Sequence, residues 1–210
     1  MKLKINCNWN RYVDLGLPSG LLWATCNVGA KEPWESGLYF SWGNVDGHKK
    51  GSEYNFSDTE YATTPGAALA GDIPVGDDYD AARANLGGSW RTPTTAEFYE
   101  LYNNCTKEWT TQNGVYGMML VSMINGNSVF FPCSGFYGGS VLFSDGTRGS
   151  YWSSSLDLFL NSHTYAYSFV ASVGGGVYNK YYDSRHLGFP VRAVLDHPKD
   201  SLLIKAIKKL

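Results

Sequence analysis

The chain has 210 residues, of which 43% are hydrophobic and 15% aromatic, and its formal net charge is −2. This composition excludes a disordered chain, because disorder goes with few aromatic residues and a large net charge. It also argues against a nucleic-acid partner, since no basic stripe is present to neutralise a run of phosphates. No stretch approaches the roughly 20 apolar residues of a membrane span, and we expect no secretory signal within residues 1–9.

The first part of the chain is rich in glycine and polar turn residues, which favours short strands. Residues 12–29 predict two strands about a Pro-Ser-Gly turn, and residues 37–43 predict another apolar strand. Residues 44–76 are polar and show little periodicity, so they predict a long loop.

Two helices are predicted next. Residues 77–86 begin with acidic residues, which complement the helix dipole, and a Gly-Gly pair follows as a stop signal. Residues 94–104 begin with the capping box Thr94-x-x-Glu97 and continue with apolar residues at helical spacing. The acids of the first helix could also suggest a calcium site, but a helix start is the interpretation that we favour.

From residue 109 onward the pattern changes to strands. Asn125-Gly126-Asn127 lies between the apolar runs 118–123 and 128–132, which is a strong hairpin signal. Further strands are predicted at 151–153, 165–170, 177–182 and 191–195. Two helices followed by many short strands predict an α+β fold, with a small twisted antiparallel sheet and long loops.

The tail, residues 196–210, differs in composition from the rest of the chain. Leu203, Ile207 and Leu210 share one helical face and lysines lie near the C-terminus, so an amphipathic helix is predicted there. We expect this helix to dock on its own domain or on a partner subunit, and membrane binding is the alternative.

The four cysteines, Cys7, Cys26, Cys105 and Cys133, form no CxxC pair or Cys/His cluster, which argues against structural zinc. Their even number allows two disulfides. Buried free thiols are the interpretation that we favour, because a chain of this length does not depend on disulfide staples.

Three motifs together carry a family likeness. They are Leu22-Trp-Ala-Thr-Cys-Asn-Val-Gly-Ala30, Gly87-Gly-Ser-Trp-Arg-Thr-Pro-Thr-Thr-Ala-Glu-Phe98, and a closing pair, Tyr151-Trp-Ser-Ser-Ser155 with Gly188-Phe-Pro-Val-Arg-Ala-Val194. In this order and spacing, residues 12–195 resemble a family of C-type-lectin-like domains from gut bacteria and their phages. The branch that they resemble includes the formylglycine-generating enzymes and the variable proteins of diversity-generating retroelements.

The resemblance implies a C-type-lectin-like fold, with one ligand-binding domain over residues 1–195 and a variable region at about 152–194. In such variable proteins a reverse transcriptase copies a template repeat into the C-terminal segment of the gene, with errors at adenines. The fold then displays the altered side chains on one face. We assign the motif aromatics and arginines to the core and to buried anchoring: Trp23, Trp42, Trp90, Arg91, Trp152, Phe189 and Arg192.

The composition of the C-terminal segment supports this narrower interpretation. The residues that we predict to contact ligand are all reachable from an Asn codon ending in a pyrimidine by changing only its adenines. They are Leu156, Asp157, Leu158, Phe159, Leu160, Asn161, His163, Tyr165, Tyr167, Tyr178, Asn179, Tyr181, Tyr182, Asp183, His186 and Leu187. Residues 155–187 contain no Trp, Met, Glu or Gln, which that route does not produce, and Lys180 is the exception.

Two stretches of this set predict ligand contact on physical grounds. Residues 156–161 place apolar side chains directly after a Ser-Ser-Ser turn, which suggests an exposed apolar patch. Residues 178–183 resemble a paratope, because tyrosine offers a large contact area at low entropy cost. The alternative is ordinary strand packing, which applies best to Tyr165, Tyr167 and Phe169, whose period-2 spacing puts them on one face.

The sequence shows no catalytic pattern. Its four histidines have no metal-ligand spacing, and HExxH, Walker and GxSxG motifs are absent, so we expect no enzyme activity, cofactor or metal. The paired C-terminal cysteines implied by the formylglycine-generating relatives are missing, since the last cysteine is Cys133. An oxidoreductase of that type is therefore a remote alternative.

These observations predict a binding protein that recognises a protein or glycan on a cell, as part of a phage tail or as a bacterial surface adhesin. The alternative is an invariant adhesin or structural assembly domain of the same fold. In either case residues 200–210 offer a contact for self-assembly or for a partner subunit.

Overall fold

The computed structural model describes residues 12–157, 164–174 and 176–196, and strands dominate them. These residues form fourteen strands and three short α-helices, of four, six and ten residues. The predicted fold, an α+β arrangement of C-type-lectin type with two short helices and a small antiparallel sheet, is therefore wrong. The chain has a β-rich fold with several sheets, because many strands pair with partners that are distant in sequence.

The elements follow one another along the chain with short connections. The strands of the described residues are β1 (Tyr12–Asp14), β2 (Leu22–Ala24), β3 (Leu38–Phe40), β4 (His48–Lys49), β5 (Cys105–Gln112), β6 (Val115–Ser122), β7 (Ser128–Pro132), β8 (Ser134–Gly138), β9 (Val141–Asp145), β10 (Arg148–Leu156), β11 (Tyr165–Ser172), β12 (Gly176–Ser184), β13 (Phe189–Pro190) and β14 (Val194–Leu195). The helices are α1 (Asp58–Tyr61), α2 (Ala81–Leu86) and α3 (Thr95–Asn104), with a 3-10 turn at Pro65–Ala68.

Both predicted helices are present, and side-chain caps explain where they begin. α2 begins at Ala81 instead of residue 77, because the Asp80 carboxylate caps it by accepting from two backbone N–H groups of its first turn. The same carboxylate also accepts from Thr92, so it joins α2 to the next segment. α3 carries the predicted capping box, in which Thr94 and Glu97 each accept from the backbone N–H of the other.

The predicted hairpin around Asn125-Gly126 is confirmed. β6 and β7 pair in antiparallel register, and Gly126 between them adopts a φ of 77°, which glycine tolerates best. β1 pairs with β2 as predicted, and the strands predicted near residues 38, 151, 165 and 177 are present as β3, β10, β11 and β12. Of the strand predicted at 191–195, β14 covers the last two residues.

The stretch 44–76, predicted to be a long loop, contains β4, α1 and the 3-10 turn. Arg185, which directly follows β12, holds this stretch against the body of the fold. Its buried guanidinium lies 4.6 Å from the ring of Trp42 and 5.4 Å from the ring of Tyr61, and it donates to two backbone carbonyl oxygens of the 3-10 region. A cation held between aromatic rings and carbonyl dipoles orders a segment that has little apolar periodicity of its own.

The described strands form four sheets. Three of them have three strands each, in the orders β1-β2-β14, β13-β3-β4 and β5-β6-β7. The fourth has five strands in the order β12-β11-β10-β8-β9, which places β12 at one edge and β9 at the other. Its β10 and β8 run parallel, and its other pairs are antiparallel.

Two apolar clusters form the core, and they confirm the predicted framework. In the first cluster the ring of Phe98, from α3, lies 5.4 Å from Trp23 and 5.0 Å from Phe169 of β11. In the second cluster Trp152 of β10 stacks on Phe189 at 4.2 Å. The framework residues that are almost completely buried are Trp23, Trp42, Trp152, Phe189 and Arg192, and Trp90 packs against the second cluster.

The two framework arginines act as buried anchors, as predicted. Arg192 is 0% exposed and donates to Asn27 Oδ1 and to the carbonyl oxygens of Ala24 and Phe130, at 2.9–3.0 Å. Arg91 forms a two-pronged ion pair with Glu97, which links β14 and its neighbours to α3. Every such donor replaces a bond to water that burial removes.

Cys105 and Cys133 are buried free thiols, in agreement with the interpretation that we favoured for them. Cys7 and the tail helix predicted near the C-terminus lie outside the described residues. Within the part of the chain that the structure describes, no helix combines the length and the apolar character needed to cross a bilayer.

Candidate functional site

β12 carries three exposed tyrosines at the edge of the five-stranded sheet. Tyr178 is 48% exposed, Tyr181 39% and Tyr182 56%. The ring centroids of Tyr178 and Tyr181 lie 5.7 Å apart, and those of Tyr181 and Tyr182 lie 5.8 Å apart. We call these three residues the tyrosine edge. Adjoining exposed aromatic side chains are typical of contact surfaces.

A β-bulge explains how the tyrosine edge is presented. Tyr181 pairs with Ser168 and Tyr178 pairs with Val170, so β12 has one more residue than β11 between these two pairs. Directly paired residues point to the same side of a sheet, and the extra residue therefore brings Tyr178 and Tyr181 to one side. Tyr182 is the next residue and points to the other side, so the tyrosines wrap around the edge strand.

Two further predicted residues, Tyr165 and Tyr167, support the tyrosine edge from β11. The ring of Tyr165 meets that of Tyr182 edge-on at 5.9 Å. The ammonium group of Lys180 lies 4.4 Å from the ring centroid of Tyr167. Both β11 tyrosines are half-buried, and Lys180, the exception to the codon pattern, belongs to the same surface.

A charge network lies behind Tyr181. Asp183 accepts a hydrogen bond of 2.6 Å from the Ser168 hydroxyl and pairs with Arg148 at 3.5 Å. Burial raises the pKa of Asp183 above its ordinary value, and the Ser168 hydrogen bond and the Arg148 charge counter that rise only in part. Because the Asp183 side chain is mostly enclosed, the structure places it behind the tyrosine edge and not within it.

Leu156 and Asp157 were expected in an exposed loop, and the structure places both in the interior. Leu156 is the last residue of β10 and packs in the second core cluster, where its N–H donates to the Asp72 carboxylate at 2.7 Å. Asp157 is also buried and accepts a hydrogen bond of 2.8 Å from the Tyr167 hydroxyl. The expected position is wrong because β10 bulges after Trp152 and continues inward to residue 156.

The other predicted contacts fall into two groups. Asn179 is half-buried within β12, whereas His186 and Leu187 lie beyond it. The Nδ1 atom of His186 is 2.5 Å from the Asp58 carboxylate of α1, and Leu187 packs against the second core cluster. Outside the described residues lie Leu158, Phe159, Leu160, Asn161 and His163. For all of these, ligand contact stays a prediction.

Sequence reasoning missed three residues that continue the surface across the sheet. Phe143 of β9 is 45% exposed and stacks on Phe136 of β8 at 5.5 Å. The guanidinium of Arg148 lies 4.9 Å from the Phe136 ring and 5.6 Å from the Tyr181 ring. A row of rings with one cation thus runs from edge β9 to edge β12. Their scattered positions and the parallel pairing of β8 with β10 leave no local sequence signal.

The described residues are arranged for contact and not for chemistry in a pocket. A cavity of about 10 Å³ between Trp42, Tyr79 and Trp152 has room for one water molecule, and no group of His, Cys, Asp or Glu among the described residues could hold a metal ion. Burial raises the pKa of Cys105 and Cys133 to about 11, so both are protonated at neutral pH and are poor nucleophiles. Small-molecule sites are usually concave, whereas the tyrosine edge is an open surface.

No protein-family model matches this chain, and no curated protein or solved structure matches it either. The candidate site therefore rests on the geometry of the described residues, together with the family resemblance of the sequence motifs.

Proposed function

We propose that this chain is a non-catalytic binding protein that contacts a protein or glycan on a cell surface through the tyrosine edge. The observation that carries the proposal is the group of three adjoining exposed tyrosines on one edge strand, Tyr178, Tyr181 and Tyr182. Tyrosine buries a large, stiff and partly polar side chain on binding, and it is enriched in paratopes and in interface hot spots.

The geometry favours recognition by side chains over the addition of a partner strand. The bulge between Tyr178 and Tyr181 interrupts the regular edge, and Lys180 places a charge on it. Bulges and lysines are the devices by which proteins discourage strand pairing at an exposed edge. A partner that adds no strand must gain its affinity from the tyrosine rings and hydroxyls.

The scaffold beneath the tyrosine edge is suited to side-chain variation. The core contacts of β11 are made by buried residues such as Phe169 and Ala171, and exposed residues of β12 add little to them. Changes at exposed positions usually cost less than about 0.5 kcal/mol. This supports the proposal that the chain is a variable protein of a diversity-generating retroelement, in which residues of the segment 152–194 change while the scaffold stays constant.

A phage tail or a bacterial surface is the location that this function requires, since the target would be a molecule on another cell. An invariant adhesin with the same surface is the second candidate. It would use the same tyrosines, and it differs from the first candidate in having no template repeat beside its gene.

Binding to intact cells tests the proposal. Fluorescently labelled protein is added to a panel of intact gut bacteria and measured by flow cytometry, alongside a variant with Tyr178, Tyr181 and Tyr182 changed to Ala. We expect at least about a tenfold loss of binding, since truncation of one hot-spot residue costs about 2 kcal/mol or more. Tyr12→Ala is the matched control, because Tyr12 is 41% exposed but lies on β1 in a different sheet. Equal binding by wild type and a folded triple variant would overturn the proposal.

A further inference from the structure

Arg148 occupies an unusual position for a cation, because side chains from three strands enclose it. Its Nε donates a hydrogen bond of 2.8 Å to the Ser150 hydroxyl, and its Nη2 lies 3.5 Å from Asp183 Oδ1. Its guanidinium stands over Phe136 at 4.9 Å and over Tyr181 at 5.6 Å. The side chain is 21% exposed, so most of it is removed from solvent.

The network spans the sheet. Arg148 belongs to β10 and Asp183 to β12, and β11 lies between these strands. Neighbouring strands lie about 4.8 Å apart, so Arg148 reaches over roughly 10 Å of sheet. Ser168 of the middle strand donates to the other carboxylate oxygen of Asp183 at 2.6 Å. The three strands are thereby joined at the point where β12 bulges.

We infer that Arg148 is the positioning residue of the tyrosine edge: it holds Tyr181 and the bulged part of β12 in their binding geometry without contacting the ligand itself. This inference rests on the proposed function of the tyrosine edge. It also changes the role of Asp183, which was predicted to contact ligand. Asp183 acts as the carboxylate that fixes Arg148.

The chemistry of arginine suits this role better than that of lysine. A planar guanidinium can donate through Nε to Ser150 and face Asp183 through Nη2 while its flat face lies against two rings. A lysine ammonium is a point charge on a flexible stem and does not satisfy these directions together. Two aromatic rings and one carboxylate therefore determine where the cation lies, and the cation determines where Tyr181 lies.

Fluorine NMR of protein labelled with 3-fluorotyrosine tests the inference without any ligand. The Tyr181 resonance is assigned by its loss in Tyr181→Phe, and its solvent exposure is measured with a soluble gadolinium chelate. In Arg148→Met, which keeps the stem and removes the charge, we expect the Tyr181 resonance to shift and to broaden more in the chelate. Arg148→Lys should not restore the wild-type spectrum. Lys180→Met is the matched control, which should move the Tyr167 resonance and leave that of Tyr181 in place.

A second variant covers the case in which Arg148→Met does not fold. Asp183→Asn keeps the shape of the side chain and removes the charge that fixes Arg148, so it should displace the Tyr181 resonance in the same direction. A folded Arg148→Met or Asp183→Asn protein with an unchanged Tyr181 resonance would overturn the inference.

Cell binding separates this inference from the proposed function. If Arg148 positions the tyrosine edge, Arg148→Met should weaken cell binding by about threefold or more, the size of one partly exposed cation–π contact. Loss of binding in the tyrosine variants with full binding in Arg148→Met would overturn the positioning role alone. A displaced Tyr181 resonance with cell binding that ignores every tyrosine variant would overturn the proposed function and leave the support in place.

Discussion

The hydroxyl of Tyr167 donates a hydrogen bond of 2.8 Å to Oδ1 of Asp157, and this bond joins β11 to the residue that directly follows β10. Asp157 is 4% exposed, so its carboxylate depends on protein donors and not on water. Burial, together with the neighbouring Asp157 carboxylate, raises the pKa of Tyr167 to about 12. A residue predicted to contact ligand thus also has a structural role behind the tyrosine edge.

Removing that hydroxyl should destabilise the protein. In Tyr167→Phe the buried Asp157 carboxylate loses a donor, and we expect the free energy of unfolding in urea to fall by about 1–3 kcal/mol. Tyr165→Phe is the control on the same strand and should change it by less than about 0.5 kcal/mol. An equal effect of the two substitutions would contradict the role assigned to the bond.

The pH dependence of stability should reveal Asp183. Burial raises its pKa above the value of an unfolded Asp, roughly 3.9, so the ionised carboxylate costs stability at neutral pH. That cost is absent below the unfolded pKa and grows as pH rises through the interval up to the folded pKa. Lowering the pH from about 7 to about 4 should therefore stabilise wild type relative to Asp183→Asn. Unfolding in urea at both pH values measures the difference, and the opposite sign would contradict the buried position of Asp183.

Arg192 should be among the least replaceable residues of the scaffold. Its three hydrogen bonds all end on buried acceptors, and Arg192→Met would leave Asn27 and the carbonyl oxygens of Ala24 and Phe130 without these donors. We expect a loss of about 3–5 kcal/mol in the free energy of unfolding, as for other broken buried polar networks. Lys180→Met, an exposed cation-to-Met change, serves as the control. A loss below about 1 kcal/mol for Arg192→Met would show that the network does not anchor the fold.

Tyrosines of the scaffold and of the tyrosine edge should respond differently to the same substitution. Tyr151 is completely buried and donates to the Pro132 carbonyl oxygen at 2.6 Å, so Tyr151→Ser should cost about 3–5 kcal/mol. Tyr178→Ser should cost about 0.5 kcal/mol or less, because half of its side chain is already exposed. Thermal unfolding of both variants provides the comparison. A large loss in Tyr178→Ser would mean that this residue belongs to the scaffold.

Local signals in the sequence predicted local structure well. The capping box at Thr94 and the Asn125-Gly126 turn depend on residues within a few positions of each other, and both are present in the structure. The fold class was wrong because it depends on distant pairings, such as Gly149 of β10 with Gly135 of β8 and Phe189 with Phe40. No local pattern encodes such pairings, and the number of strands in each sheet follows from them.

The candidate site was predictable to a similar degree. The tyrosine-rich run on β12 was found from its composition alone, since stiff amphipathic side chains are easy to recognise. The burial of Leu156 and Asp157 was missed because it depends on the bulge of β10 and on the distant Asp72 carboxylate. Arg148 was missed because three strands must pair before it meets Tyr181.

Sequencing of the DNA that flanks the gene tests the central claim most directly, namely that β12 is a diversified recognition surface on a constant scaffold. The account predicts a reverse-transcriptase gene and a near-copy of the segment encoding residues 152–194, which differs where the copy carries adenines. The differing codons should include those of Tyr178, Tyr181 and Tyr182 and should spare those of Trp152 and Phe189. Absence of both the gene and the copy, or differences that fall on the buried scaffold residues, would contradict it.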